Sequence, residues 1–290
     1  MTARVAIIGY AALEHVAFLD RPAQAGRTST MLGRRADSWP RLGGSPSYVA
    51  AALARAGINA APLTWIGDDP EGSAYAGKLA REGISTAGLA IVAAAATPVA
   101  IMTYDPDGGC VCLFDPGVPD AVSLNADQTE VLRRAEWLCI TIGPEGATRA
   151  ALAALGDNQR LMWVVKEDPR AVPPDLARAL AARADVICHS KAEAGFVAAA
   201  RVKAGRQGQI VIATAAAEGA TITTPTGSLT VKAAALVVVD PTGAGDSFAG
   251  GVLAALVLGE TDPASIVQSG HRAAHHLLAA RIATMNGDGK

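Results

Sequence analysis

Apolar runs of strand length recur along this chain, at residues 5–8, 61–66, 99–104, 137–142, 161–165, 186–188, 210–214 and 236–239. Between most of them lie Ala/Leu/Arg stretches of helical length, such as 47–56, 73–81, 148–155 and 175–183. Strands alternating with helices of about ten residues predict βαβ units and a mainly parallel sheet covered on both faces. No internal repeat or low-complexity linker divides the 290 residues, so residues 1–290 are expected to form one α/β domain. Two segments break the alternation. Residues 11–42 and 96–119 are turn-rich, and the second holds two short strand-like pieces joined by Asp105-Pro-Asp-Gly-Gly109. They predict a small β lid over one edge of the large sheet.

Composition narrows the function. Hydrophobic residues make up 50% of the chain but aromatics only 4%, so the core must be built from small and branched aliphatic side chains. Twenty-five basic residues against 27 acidic ones leave a net charge of −2, which excludes a non-specific nucleic-acid binder and gives no footprint for an anionic membrane. The longest uncharged apolar stretch, residues 248–259, is too short to span a bilayer. The opening run 5–13 follows only Arg4 and meets Glu14 at once, so it reads as a first buried strand rather than a signal-peptide core. Cys110, Cys112, Cys139 and Cys188 form no C-x-x-C pair and have no histidine at zinc spacing. They read as buried or half-buried thiols in a reducing cytoplasm. A cytoplasmic protein without nucleic-acid or membrane partners is expected.

One segment carries chemistry. In Leu236-Val-Val-Val-Asp240-Pro-Thr-Gly243-Ala-Gly245-Asp246-Ser-Phe-Ala-Gly-Gly251 a β-branched run ends at Asp240, a Gly-rich turn follows, and a helix begins that is apolar on nearly every face. Such a helix must be central and buried. Its start presents the backbone N–H groups of Gly243, Ala244 and Gly245 with the helix dipole behind them, an anion site in waiting. It is neither a Walker loop, since no Lys-Ser or Lys-Thr follows a glycine loop, nor a dinucleotide fingerprint, since Phe248 stands at the third glycine. Asp246 has two readings. A carboxylate beside an anion site repels a phosphate unless it takes a proton from a hydroxyl attacking that phosphate; otherwise it is an N-cap satisfying amides near Ser247 and Phe248.

The run Asp240-Pro-Thr-Gly-Ala-Gly-Asp-Ser-Phe-Ala-Gly-Gly251 resembles the C-terminal signature of the ribokinase-like carbohydrate kinases, the PfkB family. Gly43-Gly44-Ser-Pro-Ser-Tyr48 through Gly57, followed by Trp65-Ile-Gly67-Asp68-Asp69-Pro-Glu-Gly72, resembles the family's N-terminal signature, and the likeness extends over about residues 4–280. It implies a ribokinase-like three-layer α/β fold with a mainly parallel central sheet and a small β lid. It implies that Asp246 is the catalytic base and that Gly243, Ala244 and Gly245 form the anion hole for the transferring phosphoryl. Gly43 and Gly44 resemble the turn that lets the acceptor approach the backbone. Ser190-Lys-Ala-Glu193 stands in place of the family's Asn-x-x-Glu, which implies that Glu193 helps organise Mg²⁺ and that Ser190 is a departure. Thr214 to Gly219 stands where the family has its Thr-x-Gly nucleotide loop, with Ala216 replacing the glycine; His271 falls where relatives contact adenine, although a lone helical histidine also serves as surface or core. Asp240 and Thr242 match a turn at which some relatives bind K⁺, but the glycine that completes that site is missing near Ile282. Asp68 and Asp69 before Pro70 read as a helix cap rather than a metal site.

The departures gather on the acceptor side. Glu14 is the nearest match to an acidic residue that bonds sugar hydroxyls; Tyr48 replaces the usual Asn after Gly-Gly; Lys166 replaces a frequent Asp. Tyr48 suits stacking on a base. Lys166 suits a phosphate, a substrate carboxylate, or a pair with Glu167 or Asp168. The resemblance therefore implies an ATP- and Mg²⁺-dependent kinase for a primary hydroxyl of a small sugar-type substrate. The alternatives are a nucleoside (adenosine-like) kinase and a degenerate, non-catalytic binder. A homodimer through the lid is a further expectation.

Overall fold

Val5 and Ile7 face one side of the first strand and Ala6 and Ile8 the other, and all four are fully buried. A strand buried on both faces belongs at the centre of a sheet covered by helices. The computed structural model describes residues 3–33, 38–238 and 240–287. In chain order its strands are β1 (Val5–Ile8), β2 (Ala12–Leu19), β3 (Met31–Gly33), β4 (Arg41–Gly43), β5 (Ala60–Gly67), β6 (Leu89–Val92), β7 (Val99–Tyr104), β8 (Cys110–Asp115), β9 (Trp137–Ile140), β10 (Arg160–Val164), β11 (Val186–Ser190), β12 (Ile210–Thr214), β13 (Ala220–Thr224) and β14 (Gly227–Val231). Its helices are α1 (Ser45–Arg55), α2 (Pro70–Arg81), α3 (Ala126–Arg134), α4 (Glu145–Ala154), α5 (Pro174–Arg183), α6 (Ala194–Arg201), α7 (Ala244–Val257) and α8 (Pro263–Gly287).

The larger sheet has nine strands in the order β14-β13-β12-β11-β10-β9-β1-β5-β6. All its pairs are parallel except β12–β13 and β13–β14. Side chains of α1, α2, α7 and α8 pack on the Val5/Ile7 face, and those of α3 to α6 on the Ala6/Ile8 face. This is the three-layer α/β architecture the alternation predicts. The chain leaves β1 toward β5 on one side and later adds β9 on the other, so the strand order reverses at β1. In such sheets ligands bind beyond the carboxyl ends of the strands at that switch.

The smaller sheet has β3, β2, β7 and β8 in that order, with β4 on β2. Its strands come from the two segments that break the alternation. A fully buried Leu or Ile contributes ~1.5–3 kcal/mol, and the large sheet has many. β8 is exposed along its length. The lid is therefore the region expected to open first.

Helix α7 is buried on all sides from Asp246 to Val257, as its sequence predicts. Gly250 and Gly251 let it lie tightly between neighbours: a Cβ on Gly250 would meet Ala52 Cβ at 2.7 Å, and one on Gly251 the Ser269 carbonyl at 2.4 Å.

Two expectations are corrected. Residues 236–238 form no strand, and Val237 is 88% exposed; Val239 lies outside the described residues. After β14 the chain must return from the sheet edge to the start of α7, and this apolar run is the connection. Cys110 and Cys112 are exposed, whereas Cys139 and Cys188 are buried. Among the described residues no helix is long and apolar enough to cross a membrane.

Candidate active site

The turn before α7 is shaped by Gly243, which has φ 72° and caps the helix. An L side chain is strained there, and a Cβ would also strike the Tyr48 ring at 2.6 Å. The Ala244 N–H donates to the Pro241 carbonyl at 3.0 Å, so of the three amides expected to form the anion site this one is already used. Asp246 stands in the first turn of α7, 6% exposed, and makes no capping bond. Its Oδ1 is buried without a hydrogen-bond partner. That observation removes the N-cap reading. A buried, unpaired carboxylate oxygen costs ~1–3 kcal/mol or more, and such a cost is usual where a group is held ready for chemistry.

Lys166 lies beyond the end of β10 and is exposed. Asp246 chiefly raises its pKa, against the lowering effect of burial and with help from Glu193. The ammonium is thus within electrostatic reach of Asp246 and Glu193. Asp168 instead receives the Arg170 N–H at 2.9 Å. Burial pushes the thiols of Cys139 in β9 and Cys188 in β11 up, and the Asp246 charge adds to the shift in both. Asp246 and Glu193 are therefore the carboxylates whose charge Lys166 feels.

Glu14 and Tyr48, expected on the acceptor side, are bonded to each other. Glu14, on β2, is 4% exposed, and its Oε2 accepts from the Tyr48 hydroxyl at 2.6 Å and from Arg41 Nε at 2.8 Å. Its Oε1 accepts from the Gly44 N–H at 3.4 Å. Tyr48 is buried in α1 with its ring beneath Gly243. Burial, reinforced by Glu14, pushes its pKa well above the usual tyrosine value, so it is a neutral donor. Its ring packs against the turn at Gly243. Gly43 and Gly44 are closed in as well: a Cβ on Gly43 would strike the Glu14 side chain at 2.3 Å, and Gly44 has φ 82°.

Asp240 is the hub of the same network. Burial alone would raise its pKa, but Arg41 and Arg281 hold it down at about 2. Arg41 Nη1 donates to Asp240 Oδ2, and Arg281 lies 3.5 Å from Oδ1. Arg281 also donates to the Thr242 and Asp240 carbonyls. The oxygens expected to receive K⁺ are thus taken by guanidinium groups, and the residues do not fit a monovalent cation at Asp240 and Thr242. The Tyr104 hydroxyl bonds Thr242 Oγ1, so β7 of the lid rests on this turn. Arg41 and Arg281 escaped the sequence reading. The one hint was the missing glycine near Ile282, beside which Arg281 stands.

On the other side of α7, the Ser190 N–H donates to Glu193 Oε2 at 2.8 Å, which fixes Glu193 while leaving its second oxygen. Thr214 ends β12 with its hydroxyl on the His189 carbonyl at 3.3 Å. His271 Nε2–H donates to the Val231 carbonyl at 3.1 Å, and its ring packs edge-on against Phe248. It ties α8 to β14. Asp69 caps α2 by accepting from the Gly72 N–H at 2.7 Å, and it also accepts from the Thr97 N–H at 2.7 Å.

Ala216 has φ 47°, the left-handed conformation that a glycine adopts without strain. The loop keeps its backbone shape at a cost. Ala216→Gly is expected to stabilise the protein by ~0.5–1 kcal/mol, the relief of ~1–2 kcal/mol less the entropy a glycine adds to the unfolded chain. Denaturant unfolding checks this; a lower midpoint would show that the loop is not strained. Gly219 at the other end of the loop is irreplaceable, since a Cβ would meet the Val231 carbonyl at 2.2 Å.

A buried carboxylate with an unpaired oxygen thus stands in the first turn of a helix that starts at a glycine turn, in a doubly wound α/β protein with a small second sheet; what the chain does follows from its relatives. The chain is an ATP-dependent kinase. It belongs to the PfkB family: the pfkB family carbohydrate kinase profile matches residues 2–282. An ATP-dependent ribose-1-phosphate kinase of Halopiger xanaduensis is 31% identical over 215 residues, 73% of this chain and 72% of the relative. A fructokinase of Klebsiella pneumoniae is 28% identical over 235 residues, 74% of this chain and 76% of the relative. Among solved structures, ribokinase from Cryptococcus neoformans in complex with ADP superposes with a TM-score of 0.76 at 23% identity, covering 93% of this chain and 91% of its own. That likeness shows the fold.

Proposed function

We propose that this kinase transfers the γ-phosphoryl of ATP to a primary hydroxyl of a small sugar-type acceptor, with Asp246 as the base. The unpaired, buried Oδ1 of Asp246 carries this reading. As the acceptor oxygen forms its bond to phosphorus and the bond to the ADP oxygen breaks, Asp246 takes the hydroxyl proton. The free N–H groups at the start of α7 and the Lys166 ammonium face the charge on the transferring group. Such catalysis is positioning plus electrostatics. A Mg²⁺ ion held by the nucleotide's phosphates needs few protein ligands; the free oxygen of Glu193 suits it, and the ion would neutralise phosphate charge. The nucleotide is assigned to the side of Ser190, Glu193, Thr214, Ala216, Gly219 and His271, the acceptor to the space beneath the lid.

With Tyr48 buried, the argument for base stacking falls away, which favours sugars over nucleosides. A relative that acts on a ribose phosphate makes phosphorylated sugars part of the range to test. Release of ADP measured across sugars, sugar phosphates and nucleosides tests the reading. Acceptor-dependent turnover is expected, and its absence from every acceptor would favour a non-catalytic binder. Lys166→Met is expected to lower kcat by ~10²-fold with little change in stability; unchanged kcat would place the ammonium outside the reaction.

Two further expectations belong to this reading. The four free thiols suit a cytoplasmic location. Ile101 pairs with Leu113 in register and both are exposed, as is Val111, which gives the lid an outer apolar face suited to a second copy of the chain. Sedimentation as a monomer at micromolar concentration would remove the dimer.

A further inference from the structure

The anion-site turn has a cation of its own, and it is part of the chain. Arg281 Nη1 donates to the Thr242 carbonyl and, at 3.1 Å, to the Asp240 carbonyl. Its Nη2 donates to the Tyr48 hydroxyl at 3.1 Å, and Asp240 Oδ1 stands 3.5 Å from Nη1. Two backbone carbonyls and a carboxylate converging on one point are the oxygen set that a bound K⁺ takes. Here they converge on a guanidinium. Among the ion pairs of the described residues at this turn, Arg41 and Arg281 face Glu14 and Asp240, two cations against two carboxylates, with Tyr48 neutral. A further cation would leave a buried positive charge without a partner, which is costly.

We propose that Arg281 is a tethered counter-ion that replaces a dissociable monovalent cation and makes the enzyme independent of K⁺. It acts as a positioning residue. By drawing the Asp240 and Thr242 carbonyls toward α8, it fixes the turn whose next residues are Gly243 to Gly245, so the amides stay aimed at the phosphoryl. Arginine is charged at every working pH and, being covalently held, does not dissociate at low salt. The proposal rests on the kinase reading.

The test uses the full chain in KCl, NaCl and choline chloride at equal ionic strength, with acceptor-dependent ADP release and the thermal midpoint as separate readouts. Wild-type rates are expected to agree within about twofold across the salts, and its midpoint to show no rise specific to K⁺. Arg281→Ala is expected to lose at least about tenfold in kcat with little change in the KM for ATP. Millimolar methylguanidinium or K⁺ should restore part of that loss and raise the midpoint of the variant alone. Activation of the wild type by K⁺, or a saturable K⁺-specific rise in its midpoint, overturns the proposal, as does wild-type kcat in Arg281→Ala. Should Arg281→Ala not fold, Arg281→Lys takes its place, and the wild-type salt comparison decides in any case. A wild type inactive in every salt would instead overturn the kinase reading, while its midpoints still decide the cation question.

Discussion

Asn in place of Asp246 is expected to lower kcat by ~10²–10⁴-fold, the usual worth of a positioned general base. That is about 3–5.5 kcal/mol of transition-state stabilisation. Asn fills the same space but takes no proton. Because Asp246 Oδ1 has no hydrogen-bond partner, the substitution breaks no bond at that atom. The thermal midpoint should therefore stay level or rise while activity falls. The KM for ATP should change little, since the nucleotide is held by other groups. Steady-state kinetics and a thermal melt on the same preparation separate the two effects. Near-wild-type turnover would rule out the base, and a large drop in midpoint would make Asp246 a structural residue.

Asp240→Ala is expected to destabilise the protein by ~3–5 kcal/mol, because it strands Arg41 and Arg281 without their shared carboxylate. The acid limb of stability should report the same contacts. The folded pKa of Asp240 is depressed from 3.8 to about 2. Its contribution is therefore full above about pH 4 and is lost as pH falls through about 2, a loss of about 2 kcal/mol. Truncation costs more than protonation since it also removes the hydrogen-bond acceptors. Urea unfolding at neutral pH and at pH 3 measures both. If Asp240→Ala melts with the wild type and keeps its acid sensitivity, the network is not what holds the turn.

The centre of the fold was legible because its chemistry is local. The run 5–8 is apolar at every position and becomes the doubly buried β1, and the apolar start of α7 likewise announces a helix packed on all sides. The β13–β14 hairpin was not legible: Ala-Thr-Ile-Thr-Thr and Gly-Ser-Leu-Thr-Val are rich in Thr and Ser and carry no continuous apolar run. Residues 236–238 misled in the opposite direction: β-branched residues suit a strand, but nothing local reveals that the chain is merely crossing back to α7.

In the site, Asp246 was marked by its glycine context. The direction of Tyr48 and Glu14 was not, because whether a side chain at a helix start faces the crevice or a neighbouring residue depends on what stands opposite. What stands opposite is Gly243, with Arg41 and Arg281 from the two ends of the chain, and no spacing in the sequence relates them.

The central claim is phosphoryl transfer to a primary hydroxyl at Asp246, and ³¹P NMR of a reaction with ATP, Mg²⁺ and an acceptor tests it most directly. A new phosphomonoester resonance split by the two protons of a methylene group is predicted, growing with ADP and absent with Asp246→Asn. Inorganic phosphate as the only new signal, or a phosphomonoester split by a single carbinol proton, would contradict it.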